Sequence, residues 1–168
     1  FHYMLMGAAL FAAMAGLAFY FPKMTGRVLD ERTASIGFWT AFVGFQVTFM
    51  AMFVAGLQGM PRRVLQFDSL FNAPNQIATV GAYIIGIGML IFAGAVVYSW
   101  SSGDRAPANP FGSKSLEWQT PTPVPLENFA VLPVISERPY TYGVPDPYEN
   151  VSLNSESKPD AQKVGGSP

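Results

Sequence analysis

Three stretches without a single Asp, Glu, Lys or Arg, residues 1–21, 36–57 and 77–100, constrain this chain more than any other feature. At ~1.5 Å per residue, helices over them reach ~32, ~33 and ~36 Å, enough to cross a hydrocarbon core of ~30 Å with some tilt. Helices buried in a soluble core are the competing explanation, and three successive uncharged runs of this length argue against it. Composition agrees: 50% of the 168 residues are hydrophobic and 12% are charged, about half the charged share of an ordinary soluble domain. The expected class is therefore an all-α membrane protein with three transmembrane helices.

The segments between the runs fit that reading. Residues 23–35 carry Lys23, Arg27, Asp30, Glu31 and Arg32, and Thr33 or Ser35 is placed to cap the second helix by accepting backbone N–H bonds. Asn72 before Pro74 predicts the start of the third helix. Lys23, Arg27, Arg32, Arg105 and Lys114 fall on one side of the membrane, and Arg62 and Arg63 on the other. This excess puts the first connection and the carboxy terminus in the cytoplasm, with the arginine pair facing outward. Phe1 is not an initiator methionine, and neither a charged n-region nor a small-residue cleavage site accompanies the first run. A signal peptide is thus a poor reading, and the chain is expected to be the carboxy-terminal part of a longer polypeptide.

Eleven of the fourteen prolines lie from Ser101 onward, with eight acidic and five basic residues, a composition that cannot bury a core of its own. Residues 101–149 are expected to form an extended cytoplasmic strap and residues 150–168 a disordered tail. Pro121, Pro123 and Pro125 favour polyproline II, with Phe111, Leu116, Trp118, Leu126, Phe129, Tyr140 and Tyr142 as anchors along a neighbouring subunit or the membrane surface. The Asn150-Val151-Ser152 sequon should be silent on that side.

Small residues recur at helical spacing, as in Ala8, Ala12 and Gly16 or Ala82 and Gly86, and read as packing seams. Phe11, Phe19, Tyr20, Phe38, Trp39, Phe42, Phe45, Phe49 and Phe53 form a dense aromatic set. It would suit either the wall of a large planar cofactor or contacts with lipid and other helices. A net charge of −1 gives no reason to propose nucleic acid as a partner, and the absence of cysteine excludes disulfides and thiolate metal sites. There is no phosphate-binding glycine loop, no nucleophile elbow and no carboxylate pair within a run, so soluble-type catalysis is excluded.

What remains is His2 and the arginine pair. A lone histidine at a helix end serves either as a hydrogen-bonded interface residue or as an imidazole donor to haem iron. Adjacent arginines beyond an apolar run are either a solvated loop feature or an anion site. Two crossings return the chain to the face on which it began, so His2, Arg62 and Arg63 share the outer side. A haem held there by an imidazole would present its propionates to two guanidinium groups that match them in charge and fork geometry.

Phe1-His2-Tyr3, the run Phe21-Pro22-Lys23-Met24-Thr25-Gly26-Arg27, the run Gly56-Leu57-Gln58-Gly59-Met60-Pro61-Arg62-Arg63, and Leu116-Glu117-Trp118-Gln119-Thr120-Pro121 occur in the order seen in the haem-copper terminal oxidases. Over residues 1–143 the chain resembles the carboxy-terminal third of a bacterial cytochrome c oxidase subunit I. The resemblance implies that the three spans are the last three of a twelve-helix core. It implies that His2 is an axial ligand of the low-spin haem (haem A), that Phe1 lies between the two haems, and that Arg62 and Arg63 hold haem propionates. The family's box before Tyr3 reads His-Phe-His, and its first histidine, ligand of the high-spin haem, would fall immediately before Phe1. The partners implied are the remainder of subunit I, subunits II and III, cytochrome c or another electron donor, and the lipid of a bacterial inner membrane or equivalent energy-transducing membrane.

A bis-histidine haem needs two imidazoles and the family's copper three more, whereas this chain offers one. The fragment alone is not expected to reduce oxygen. Its high-spin haem and copper would be liganded outside this chain, in a parent enzyme that reduces O2 to water with proton pumping. The alternative is a catalytically silent three-helix membrane assembly or interaction subunit.

Overall fold

In the computed structural model, which describes residues 1–113 and 115–129, three long helices dominate: α1 (His2–Thr25), α2 (Glu31–Leu57) and α3 (Asn72–Ser102). Short 3-10 turns cover Ser69–Phe71 and Leu116–Trp118. Among the described residues there is no sheet, only an isolated antiparallel bridge between Arg27 and Arg105. All three helices are long and apolar enough to cross a membrane, and the chain is an all-α membrane protein.

Each helix extends past its uncharged run. α1 continues through Pro22 and Lys23 to Thr25, and α2 begins at Glu31 rather than Ile36. Charge is costly only within the hydrocarbon, so helix ends at the headgroups can carry it. Thr33 does not cap α2. Asp30 occupies the N-cap position without a side-chain cap bond, and its carboxylate accepts the Thr33 hydroxyl instead. A local side-chain partner has competed with the backbone for the same oxygen. The Asp30 N–H donates to Ser99 Oγ over 2.9 Å, tying the start of α2 to the buried end of α3.

The chain forms two compact units, one from residues 1–22 and 27–105, the other from Lys23–Gly26 and the residues from Ala106 on. In the first, α2 and α3 meet backbone to backbone. A Cβ built on Gly37 would stand 2.6 Å from Phe92 N, one on Gly44 2.6 Å from Ile85 N, and one on Gly88 2.3 Å from Ala41 N. Gly37, Ala41, Gly44 and Thr48 recur on one helical face and are all buried. Because lipid tails are as apolar as any side chain, helices associate through such close packing and through interhelical hydrogen bonds. Thr48 supplies one: its buried Oγ1 lies 2.9 Å from Gly44 O and 3.3 Å from Ala78 O across the seam.

This is not the seam expected from sequence. Ala8, Ala12, Ala82 and Gly86 are exposed, and a Cβ on Gly16 or Gly86 would meet nothing within 4 Å. Spacing defines a face but not the neighbour that covers it.

α1 packs on α2 through aromatic rings. The Phe11 ring lies 5.5 Å from Phe38 and 5.3 Å from Phe45, and Tyr3 lies 5.0 Å from Phe45. Tyr3 also donates its hydroxyl proton to Gln46 Oε1 over 2.8 Å. Much of the aromatic set is therefore helix packing. Met14, Phe21, Leu29, Ala34, Phe92 and Ala95 form the buried core. The connection between α1 and α2 is joined to the end of α3, with Arg27 Nη1 donating to Gly103 O over 2.6 Å and the Val28 N–H to Asp104 O over 2.9 Å.

In the second unit the tail gains a small core by borrowing the last turn of α1. Trp118 is 1% exposed and Lys23 5%, and the Phe111 ring packs edge-on against Trp118 at 4.9 Å. The proline segment is not a solvated polyproline rod, which would make no internal hydrogen bonds: the Val124 N–H donates to Lys23 O over 3.0 Å. Leu126, expected as an anchor, is fully exposed. Tyr140, Tyr142 and the sequon lie outside the described residues.

Candidate functional site

The motif over residues 56–63 is first of all a helix ending. The Met60 N–H donates to Ala55 O and the Gly59 N–H to Gly56 O, both over 3.1 Å, with Gly59 at φ +91°. These are the paired bonds of a Schellman motif, which satisfies the last carbonyls of a helix and needs a left-handed residue where only glycine is unstrained. Pro61 then prevents the helix from resuming, so Arg62 and Arg63 emerge directly beyond its end. Arg63 is itself left-handed, at φ +58°, which costs a non-glycine residue about 1–2 kcal/mol.

A second attachment comes from the first turn of α3. Asn75 Nδ2 donates to Phe71 O over 2.7 Å and lies 3.5 Å from Met60 Sδ. The turn before α3 is closed by Asp68, whose carboxylate accepts the Leu70 N–H over 3.0 Å. The arginine loop is thus held from α2 on one side and α3 on the other.

Phe1, His2, Arg62 and Arg63 all line one open cavity of about 790 Å³, within the ~300–1,000 Å³ usual for small-molecule and cofactor sites. Its apolar wall comes from Phe49, Met52 and Phe53 on α2, and Val64 adds to it from the loop. Phe1 and His2 form a T-shaped pair with centroids 5.4 Å apart. The cavity therefore combines one imidazole, two guanidinium groups and an apolar wall. That set suits a flat, largely apolar molecule bearing carboxylates. Among the described residues no three His, Cys, Asp or Glu side chains gather to hold a metal ion.

The sequence pattern singles out the two arginines but not the residues that hold their loop. Gly59, followed two positions later by Pro61 at the end of an apolar run, carried the signature of a Schellman ending. Asn75 carried no comparable signal, because its role depends on the loop folding back toward α3.

Residues 1–84, half of the chain, match the family model described as Cytochrome C and Quinol oxidase polypeptide I. The chain is 43% identical over 144 residues to cytochrome c oxidase subunit 1 of Thermostichus vulcanus, covering 86% of this chain and 26% of that protein. It is 46% identical over 144 residues to cytochrome c oxidase subunit 1 of Corynebacterium glutamicum, covering 83% of this chain and 25% of that protein. The chain thus spans about a quarter of the length of the curated relatives it matches. With three apolar spans, an arginine loop set by a helix ending, and a matched family model over half its length, the chain belongs to the cytochrome c and quinol oxidase polypeptide I family.

Proposed function

We propose that this chain is the carboxy-terminal part of subunit I of a haem-copper oxidase, forming the last three of twelve helices in an enzyme that reduces O2 to water with proton pumping. In this reading the cavity receives the low-spin haem. The supporting observation is that one cavity collects His2, Arg62 and Arg63 against an apolar wall, although sixty residues separate the histidine from the arginines.

The residues present suit that group. The imidazole of His2 would offer a lone pair to the haem iron, and the Phe1 ring packs against it in a T-shaped pair. Arg62 and Arg63 would pair with propionates through charge-assisted bonds that also favour their ionised form. Phe49, Met52 and Phe53 would give the ring apolar contact. A bound haem supplies one-electron redox chemistry at its iron. The other ligand of that haem and the ligands of the high-spin haem and the copper would come from outside this chain, and its partners would be subunits II and III and an electron donor.

In the complete membrane complex, His2→Ala should abolish the low-spin haem absorbance band while the complex still assembles. A band of unchanged position and intensity would remove His2 as a ligand and leave the cavity without its proposed occupant.

A further inference from the structure

Lys23 lies in the last turn of α1 yet is only 5% exposed, an unusual place for an ammonium group that would ordinarily reach water. Its Nζ donates to Ala108 O over 2.8 Å, to Trp118 O over 3.2 Å and to Thr120 O, and stands 5.7 Å from the centre of the Trp118 ring. An ammonium group has three donors, and all three are used here on uncharged backbone carbonyls.

Those carbonyls come from positions 108, 118 and 120, so they converge only when the intervening chain is folded. The loop has its own supports. The Ser113 N–H donates to Asn109 Oδ1 over 3.0 Å, and Ser113 O accepts from Asn109 Nδ2 over 2.7 Å and from Gln119 Nε2 over 2.9 Å. Thr122 Oγ1 donates to Ala108 O over 2.9 Å, and the Val124 N–H returns to Lys23 O over 3.0 Å.

We infer that the three carbonyls and the Trp118 face form a receptor site for one primary alkylammonium, that Lys23 occupies it as a tethered ligand, and that this occupancy keeps residues 106–124 folded on the last turn of α1. Ordered carbonyl dipoles aimed at one point repel each other when the cation is absent, so the loop is stable only with the site filled. A planar guanidinium, with donors spread in a fork, does not match a three-oxygen cone. The site should therefore distinguish lysine from arginine.

The test uses the detergent-solubilised complex containing the full chain, with hydrogen exchange read on peptides covering residues 106–124. Lys23→Ala deletes the stem and the ammonium, and Lys23→Met keeps the stem but not the charge. Either should speed exchange in these peptides by roughly tenfold or more, since several charged hydrogen bonds are lost, while peptides from α2 and α3 stay unchanged. Adding n-propylammonium, which supplies the atoms missing in Lys23→Ala, should restore slow exchange in that variant. The neutral n-propanol should not.

Unchanged exchange in both variants, or equal rescue by amine and alcohol, would overturn the inference. So would a lack of rescue by the amine in an assembled Lys23→Ala complex. Failure of both variants to assemble even with the amine would also count against it, because the spans themselves would then depend on Lys23.

Discussion

Replacing Gly88 by alanine tests the seam between α2 and α3. The new Cβ would stand 2.3 Å from Ala41 N, 2.7 Å from Ala41 Cα and 2.8 Å from Ala41 Cβ, where comfortable contact lies at ~3.5–4.0 Å. Each of these atoms is backbone or the first side-chain atom of α2, so no rotamer change makes room. The helices must part by roughly 1 Å, and Thr48 moves with α2. That stretches its 3.3 Å bond to Ala78 O beyond useful range. Overpacking costs ~1–3 kcal/mol and a lost hydrogen bond ~0.5–1.5 kcal/mol, so the cost of the spoiled contact is about 2–4 kcal/mol before the helix-propensity gain of alanine over glycine.

Gly86, on the same helix, is the control, because a Cβ there meets nothing within 4 Å. Alanine gains ~0.8–1.0 kcal/mol in helix propensity at either site, so that contribution cancels and the two variants should differ by roughly 2–4 kcal/mol. Thermal loss of helical circular dichroism in one detergent would rank them. A Gly88→Ala chain as stable as Gly86→Ala would refute the idea that glycine contact joins these helices.

Other perturbations address the site and the α1 contact. Gly59→Ala places a Cβ at φ +91°, which should cost about 1–2 kcal/mol and loosen the arginine loop, detectable as a lower thermal midpoint together with faster exchange across residues 58–68. Tyr3→Phe removes the bond to Gln46 and should cost ~0.6 kcal/mol, with ~1.7 as an upper bound, in the same thermal assay. Arg63→Gln removes positive charge beside the proposed propionates, favours the oxidised iron, and should lower the midpoint potential of the low-spin haem in a redox titration. Arg63→Gly should lower that potential too. It should also be about 1 kcal/mol more stable than Arg63→Gln, because glycine relieves the φ +58° strain.

The three spans were legible because hydrocarbon excludes charge over a fixed thickness, a constraint that leaves long uncharged runs. Their ends were not, since Lys23, Glu31 and Arg32 are helical where hydropathy stops giving information. The seam was illegible for a different reason. A sequence this rich in Gly and Ala offers small-residue stripes on several faces, and only the structure shows that Gly81 and Gly88, rather than Ala82 and Gly86, meet α2. Aromatic spacing is ambiguous in the same way: Phe11 contacts both Phe38 and Phe45, Phe53 lines the cavity, and Phe49 does both, packing on Phe45 and lining the cavity. His2 and the arginines could be assigned to one side by counting crossings. Their shared cavity depended on the Schellman ending and on Asn75. The folding of the tail around Lys23 was not foreseen, because its composition gave no hint that it would borrow a turn of α1.

The difference between the two helix contacts bears on how such a chain is made. α2 and α3 touch backbone to backbone and are adjacent in sequence, joined by residues 58–71, which carry hydrogen bonds of their own. They form a helical hairpin whose partners leave the ribosome one after the other. α1 reaches α2 through side chains, among them the Phe11 ring, Met14 in the shared core and the Tyr3 hydroxyl, contacts that can adjust to where the hairpin comes to rest. During insertion α2 and α3 would then close as a pair, so a substitution that spoils the glycine contact would act when the hairpin closes and not on the finished protein alone.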